Sequence, residues 1–332
     1  MGSSHKPITL VDGFVPVIDL AGRDDAAARL AIARAIDGAC RSSGFFIVVG
    51  HDVPPALVDR MYSATNAFFR LPDVQKDLVA TRPGVSGFRR FSGTTAQTLG
   101  TAAPPDLCAG FSIHVTGDLS DRHRAELGNY WASWKLANVW PTVPADFKET
   151  WLEYTAVMTD LSRDLMRLFA IALGLDEQFF DDKFDHHVSS LTANYYYRQI
   201  ESPLPGQMRR GPHTDFGALT VLYQEDDLSG LQVLSSSDDW IDVPAIRGTF
   251  VINIGDLMAL WTGGRWTSTM HQVVNPERGN HLSRLSIPFF YQPNHDAVVE
   301  PMAPLAGPPE ARPVIAGDWI SAKMQKLFAP AL

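Results

Sequence analysis

The fold class this chain predicts is mainly β with flanking helices, an antiparallel sandwich or barrel preceded by a helical region. Three observations predict it. From about Leu191 onward, short β-rich runs follow one another, separated by turn-forming stretches such as "EDDLSG", "SSSDD" and "TGGRW". The first half instead carries apolar residues at helical intervals. The chain has neither a glycine-rich strand-to-helix fingerprint nor a P-loop lysine motif, so the common phosphate-cradling folds lack support.

Residues 24–40, "DDAAARLAIARAIDGAC", set Leu30, Ala33 and Ile36 at helical spacing behind two acids, with Gly44 placed to end the element. "GFFIVVG" at 44–50 reads as a buried strand, and residues 54–72 read as a second helix stopped near Pro72. Residues 82–117 are rich in Gly, Pro and Thr, which specifies a long loop or an irregular sheet edge bordering a pocket. From Lys148 to Leu175, Trp151, Tyr154, Met158, Leu161, Leu165, Leu168 and Ala172 keep a 3–4 rhythm, which predicts a long helix supporting a sheet. The β-rich runs after it are "TANYYY", "ALTVLYQ", "GLQVL", "WIDVP", "TFVINIG", "DLMALW" and "RLSIPFFYQ".

Composition narrows the function. The 332 residues are 45% hydrophobic, enough for a sizeable core. With 28 basic against 37 acidic residues, the formal charge of -9 disfavours a nucleic-acid partner. No apolar run approaches the ~20 residues of a membrane span. Cys40 and Cys108 are the only cysteines, far apart, so neither a disulfide framework nor a thiolate zinc site is indicated and a reduced, cytoplasmic setting is expected. A small-molecule substrate is expected, and no obligate protein partner is inferred.

Chemistry concentrates in "GPHTDFGALTVLYQ". On an extended segment His213 and Asp215 point to the same side, and His271 in "STMHQVVNP" offers a third ligand. Two imidazoles and one carboxylate suit a divalent first-row metal, iron(II) first, with coordination positions left open. In "RLS", Arg284 and Ser286 share strand parity, so a guanidinium fork and a hydroxyl can hold a carboxylate, a geometry that fits a diacid. In "ANYYYRQ", Asn194 and Tyr196 share a face, and Tyr196 can donate to a bound carboxylate.

The chain resembles the isopenicillin N synthase-like group of iron(II)/2-oxoglutarate-dependent dioxygenases. The likeness begins with "VPVIDLA", "SSGFFIVVGHDVP" and "WPTVPADFKE", then becomes dense across "NYY", "HTDFGALTVLYQEDDLSGLQV", "VINIGDLMALWTGGRWTSTMHQVV" and "SRLSIPFFYQP". It implies a distorted double-stranded β-helix, the cupin-like jelly roll, with His213, Asp215 and His271 as Fe(II) ligands. It also implies that Arg284 and Ser286 grip the distal carboxylate of 2-oxoglutarate, with Tyr196 and Asn194 beside it. The stretch "YRQIESPLPG" after Tyr196 departs from the family's proline-rich continuation. The resemblance further implies molecular oxygen as the second cosubstrate, with succinate and carbon dioxide as the coproducts. The implied reaction oxidises a C–H bond of a small specialised metabolite or amino-acid-derived substrate, with hydroxylation the commonest result.

Substrate contacts are expected from Arg89, Phe91, Phe111, Ile113, Phe216 and Phe289, with core packing the competing reading of the apolar ones. Residues 1–332 are read as one compact enzyme unit: a mixed helical region with pocket loops to 185, a catalytic jelly-roll core over 186–295, and an extension with a helix over 296–332. Three other functions stand beside this one. The nearest is an isopenicillin N synthase-like oxidase that uses no 2-oxoglutarate, in which Arg284 and Ser286 would hold a substrate carboxylate. The others are a zinc hydrolase, which lacks an argued general base, and a non-catalytic jelly-roll metal-binding protein.

Overall fold

Asp25 starts the first helix: its side chain accepts from the amides of Ala27 and Ala28, and Ala26–Ser42 follows as 17 helical residues. The helix leads through Gly44 into the strand Phe45–Val49. Gly44 is required there, because its φ is +68° and a Cβ would collide with the Thr267 carbonyl oxygen. Two more long helices, Pro55–Phe69 and, third in this layer, Phe147–Leu173, follow, and the third packs against both of the others. In the 27-residue third helix the 3–4 rhythm becomes a stripe of buried Trp151, Tyr154, Met158, Leu161, Leu165 and Leu168. Each such side chain contributes about 1.5–3 kcal/mol on burial, so the stripe outweighs helix propensity. Gly174, at φ 75°, ends it.

The computed structural model describes residues 9–11, 14–91, 93–126, 136–226, 228, 230–276, 282–302 and 312–328. Among them, nine strands form the larger sheet. Its order is Thr9–Val11, Val15–Asp19, Phe45–Val49, Phe250–Ile254, Leu219–Gln224, Arg284–Tyr291, Ser190–Tyr196, Ala109–His114 and Phe88–Arg89. Four strands, Trp240–Asp242, Leu231–Leu234, His271–Val273 and Arg210–His213, form the smaller sheet. One face of the larger sheet carries Phe46, Phe111, Leu191, Ile252, Ile287 and Phe289 into the main core, with the helices. The other face meets the smaller sheet across a second apolar cluster that includes Phe45, Ile47, Val251, Leu231, Val233 and Val273.

Four expectations need correction. The fold is mixed α/β rather than mainly β, because the helices form a full layer against the larger sheet, and the two sheets remain separate rather than closing into a barrel. Nor is the sheet wholly antiparallel: Val15–Asp19 and Phe45–Val49 run parallel, since the helix between them carries the chain back to the same edge. "DLMALW" is the helix Asp256–Trp261, not a strand. Its first amides are satisfied outside the helix, Asp256 N donating to Asp215 O at 2.8 Å and Leu257 N to Gly217 O at 3.0 Å. Residues 82–117, read as loop or irregular edge, also contain the fully buried strand Ala109–His114. Among the described residues no helix is long and apolar enough to cross a membrane.

Candidate metal centre and active site

Strand register brings the ligating side chains together. His213 ends one strand of the smaller sheet and pairs directly with His271 on the next, so the imidazole centroids lie 4.2 Å apart. Asp215 follows in the turn, where Gly217 allows close approach: a Cβ there would collide with Gln292 Oε1. One ligand atom from each of His213, Asp215 and His271 lies within 4.8 Å of the others, and all three residues are buried.

The surroundings fix the orientation of these groups. His213 Nδ1 is 2.8 Å from the Gly211 carbonyl and His271 Nδ1 is 3.1 Å from that of Thr269. A carbonyl only accepts, so each Nδ1 is the donor and Nε2 is the nitrogen left for a metal. Thr220 Oγ1 and Asn253 Nδ2 donate to Asp215 Oδ2 at 2.6 and 2.7 Å, while Oδ1 faces His271 Nε2 at 3.8 Å. Thr220 and Asn253 are cross-strand partners and so share a face. Burial, then His271 and Arg210, hold His213 well below the usual imidazole range. Burial opposes ionisation of Asp215, but His271, His213 and the donors Asn253 and Thr220 hold its carboxyl below the usual range. Two imidazoles beside one carboxylate suit a first-row divalent metal such as Fe(II).

A second polar group occupies the same face of the larger sheet. Arg284 pairs with Tyr196 and Ser286 with Asn194 across adjacent strands, which sets the four side chains side by side. Arg284 is only 1% exposed. Its Nε donates to Leu228 O at 3.1 Å and its Nη2 to Gln224 Oε1 at 2.8 Å, while buried Nη1 has no hydrogen-bond partner among the described residues. An orphaned guanidinium nitrogen beside the Ser286 hydroxyl fits a ligand carboxylate. Burial, with Cys108 nearby, pushes Tyr196 up to about 12, so its phenol remains a donor.

A cavity of about 660 Å³ opens beside the metal cluster, bordered by His213, Asp215, Phe216, Asn194, Phe290 and Arg89 among others. Of the expected substrate contacts, Arg89 and Phe216 line it. Phe111, Ile113 and Phe289 do not. They occupy the opposite face of the larger sheet, where Phe111 meets Phe68, Phe147 and Trp151 at centroid distances of 5.1 Å. Phe91 is 67% exposed and does not border the cavity. Three residues escaped sequence reading: Thr220, Asn253 and Arg210. Arg210 lines the cavity and donates to Asn194 Oδ1 at 3.0 Å. The Arg-Arg pair just before the "GPHTD" turn was its only signal.

Comparison with known proteins places this geometry. Residues 188–293 match the 2OG-Fe(II) oxygenase superfamily model, and residues 15–142 match the N-terminal model described as non-haem dioxygenase in morphine synthesis. The chain is 36% identical over 310 residues to validamycin A dioxygenase of Streptomyces hygroscopicus subsp. limoneus, covering 91% of this chain and 83% of the relative. It is 32% identical over 311 residues to a homoarginine-6-hydroxylase of Oryza sativa subsp. japonica, covering 91% and 90%. The crystal structure of a full-length Neurospora crassa protein in complex with alpha-KG and thymine superposes with a TM-score of 0.79 at 26% identity, covering 97% of this chain and 99% of that one. The fold accordingly resembles the cupin-type core of these oxygenases. With its cluster of two histidines and one carboxylate, the chain belongs to the superfamily of Fe(II)/2-oxoglutarate-dependent dioxygenases, enzymes of oxidative, hydroxylation-type chemistry on small metabolites.

Proposed function

We propose that this enzyme hydroxylates a C–H bond of a small specialised metabolite or amino-acid-derived substrate, consuming 2-oxoglutarate and molecular oxygen and releasing succinate and carbon dioxide. The observation that carries this reading is the orphaned Arg284 Nη1, buried beside Ser286 and Tyr196. His213, Asp215 and His271 would hold the metal. Arg284 and Ser286 take the distal carboxylate of 2-oxoglutarate, with Tyr196 as a further donor and Asn194 alongside. Bound iron(II) supplies the redox chemistry that links decarboxylation of the cosubstrate to C–H oxidation.

The protein's part is positioning. Gln224 and Leu228 hold the Arg284 fork from one side, leaving Nη1 for the ligand. Thr220 and Asn253 prevent Asp215 from rotating. Phe216 and Phe290 present apolar surface to the cavity, which excludes water from the reacting bond. We assign the chain to the isopenicillin N synthase-like branch with a distorted double-stranded β-helix, one enzyme unit working in the cytoplasm without an obligate protein partner. The dense motif resemblance over 213–293 supports that assignment.

The test is anaerobic loading with iron(II) and 2-oxoglutarate followed by admission of oxygen. Oxygen uptake should depend on 2-oxoglutarate and yield succinate in proportion, and Asp215→Ala should show neither. If turnover of the native substrate consumes oxygen without 2-oxoglutarate and forms no succinate, the enzyme is an oxidase and Arg284 holds substrate instead.

A further inference from the structure

Arg89 and its neighbour Arg90 contrast sharply in their partners. Arg90 points outward and pairs with both Asp73 and Asp77. Arg89 borders the cavity, and among the described residues no carboxylate oxygen lies within ion-pair distance of it. Its own contacts are weak ones: Nη1 is 3.5 Å from the Ser112 hydroxyl, and Cζ lies 4.4 Å from the centroid of the Phe328 ring. Arg210, which lines the cavity as Arg82 also does, donates to Asn194 Oδ1, and although no carboxylate lies within ion-pair distance among the described residues, the charges of Asp106 and Asp215 favour its cationic form. Burial, with Arg210 nearby, lowers Arg89 to about 10, so it stays cationic at neutral pH. A cation sheltered from water without a counter-ion is unfavourable, and the nearby positive charge of Arg210 adds to that effect at Arg89.

The neighbouring groups complete a subsite. Arg89 pairs with Gly110 across the sheet edge, and Gly110 pairs with Asn194, so no side chain intervenes between the two arginines on the middle strand. Ser112 Oγ and Thr192 Oγ1, 3.0 Å apart, stand next along the same face. The rest of the lining offers apolar surface from Val85, Val188, Phe216, Phe290 and Met324, interspersed with polar residues such as Ser190 and Gln292.

We infer that Arg89, assisted by the Ser112 hydroxyl, is a carboxylate-binding subsite for the substrate, and that the substrate is a small carboxylic acid with an apolar body. One planar fork beside one hydroxyl matches the two oxygens of a carboxylate. Arg210 is a positioning residue: it holds Asn194 and adds positive potential. This carboxylate is the substrate's own, distinct from the 2-oxoglutarate end assigned to Arg284, and the inference rests on the dioxygenase reading above.

The test is calorimetric titration with phenylacetate, indole-3-acetate and hexanoate, each against its primary amide. It is run anaerobically on protein saturated with iron(II) and 2-oxoglutarate, and again on protein without them. Binding of 2-oxoglutarate, measured first, reports on the dioxygenase reading separately. At least one carboxylate should bind about 10-fold or more tighter than its amide. Arg89→Gln should reduce that preference to about twofold or less, while Arg284→Lys should leave it in place. Circular dichroism checks the folding of Arg89→Gln, and the wild-type comparison of acid with amide stands without any variant. Equal binding of acids and amides, no binding by any acid, or a preference that survives Arg89→Gln overturns the inference. A matched phosphonate binding more tightly than the carboxylate overturns the carboxylate assignment.

Discussion

One carboxylate oxygen of Asp215 is held by Thr220 and Asn253, which leaves the other facing the two imidazoles. Losing a partner of a ligating carboxylate commonly costs 10–100-fold in metal affinity, so Asn253→Ala should weaken iron(II) binding by about that factor. Asp215→Ala should weaken it further and abolish turnover, because a ligand itself is gone. Anaerobic equilibrium dialysis of both variants checks the order, and wild-type affinity in Asp215→Ala would remove this residue from the metal set. At Arg284 the shape of the cation matters as well as its charge. Arg284→Lys keeps the charge but loses the fork, so the KM for 2-oxoglutarate should rise about 10-fold or more, while Ser286→Ala, which removes one neutral hydrogen bond, should cost less. Titration of 2-oxoglutarate at saturating iron measures both. The ligand types and the Arg-x-Ser parity were legible in the sequence. Thr220 and Asn253 were not, because they look like ordinary polar residues until the pairing of their strands aims them at one oxygen.

The C-terminal helix Ala316–Leu327 borders the cavity through Ile320, Met324 and Leu327. Two side-chain contacts help hold it there, beside backbone hydrogen bonds at its two ends: Trp319 Nε1 donates to the Phe216 carbonyl at 3.1 Å, and Lys323 Nζ meets Asp256 at 2.9 Å. The first ties it to the turn after Asp215 and the second to the short helix Asp256–Trp261. Trp319→Phe removes one tie while keeping an aromatic ring. Hydrogen exchange over 316–327 should therefore accelerate, while the strand Leu219–Gln224 keeps its protection. Equal exchange in both proteins would mean that the Trp319–Phe216 tie does not hold the helix. The sequence pointed to a terminal helix but carried no sign of what it covers, since that depends on a turn about a hundred residues away in the chain.

Across the whole molecule, buried histidines link stability to pH. Burial, with Arg163 nearby, lowers His187 to about 4, and burial with Arg89 nearby does the same to His114. The unfolded chain takes up these protons near pH 6.5. Between about 6.5 and 4 the unfolded state thus binds more protons than the folded one, and stability present above that window is lost as pH falls through it. Each group contributes at most about 1.4 kcal/mol per pH unit. The urea midpoint should fall between pH 7 and pH 5, with a shallower slope in His187→Gln. An unchanged slope would show that His187 titrates alike in both states.

Spacing and residue type in the sequence carried the cluster of two histidines and a carboxylate, the shared face of Arg284 and Ser286, the long helix and most of the strands, because each rests on local periodicity or on chemistry that few residues supply. Which face of a strand meets the cavity was not legible. Phe111, Ile113 and Phe289 lie on strands buried on both sides, where alternation separates two faces but both are covered and apolar residues occur on each. Only the packing of three helices against one face and the smaller sheet against the other made Phe111, Ile113 and Phe289 core while leaving Arg89 and Phe216 at the cavity. The same limit hid the helix in "DLMALW": its amides are satisfied by carbonyls of the turn that carries Asp215, partners that exist only once the chain has folded.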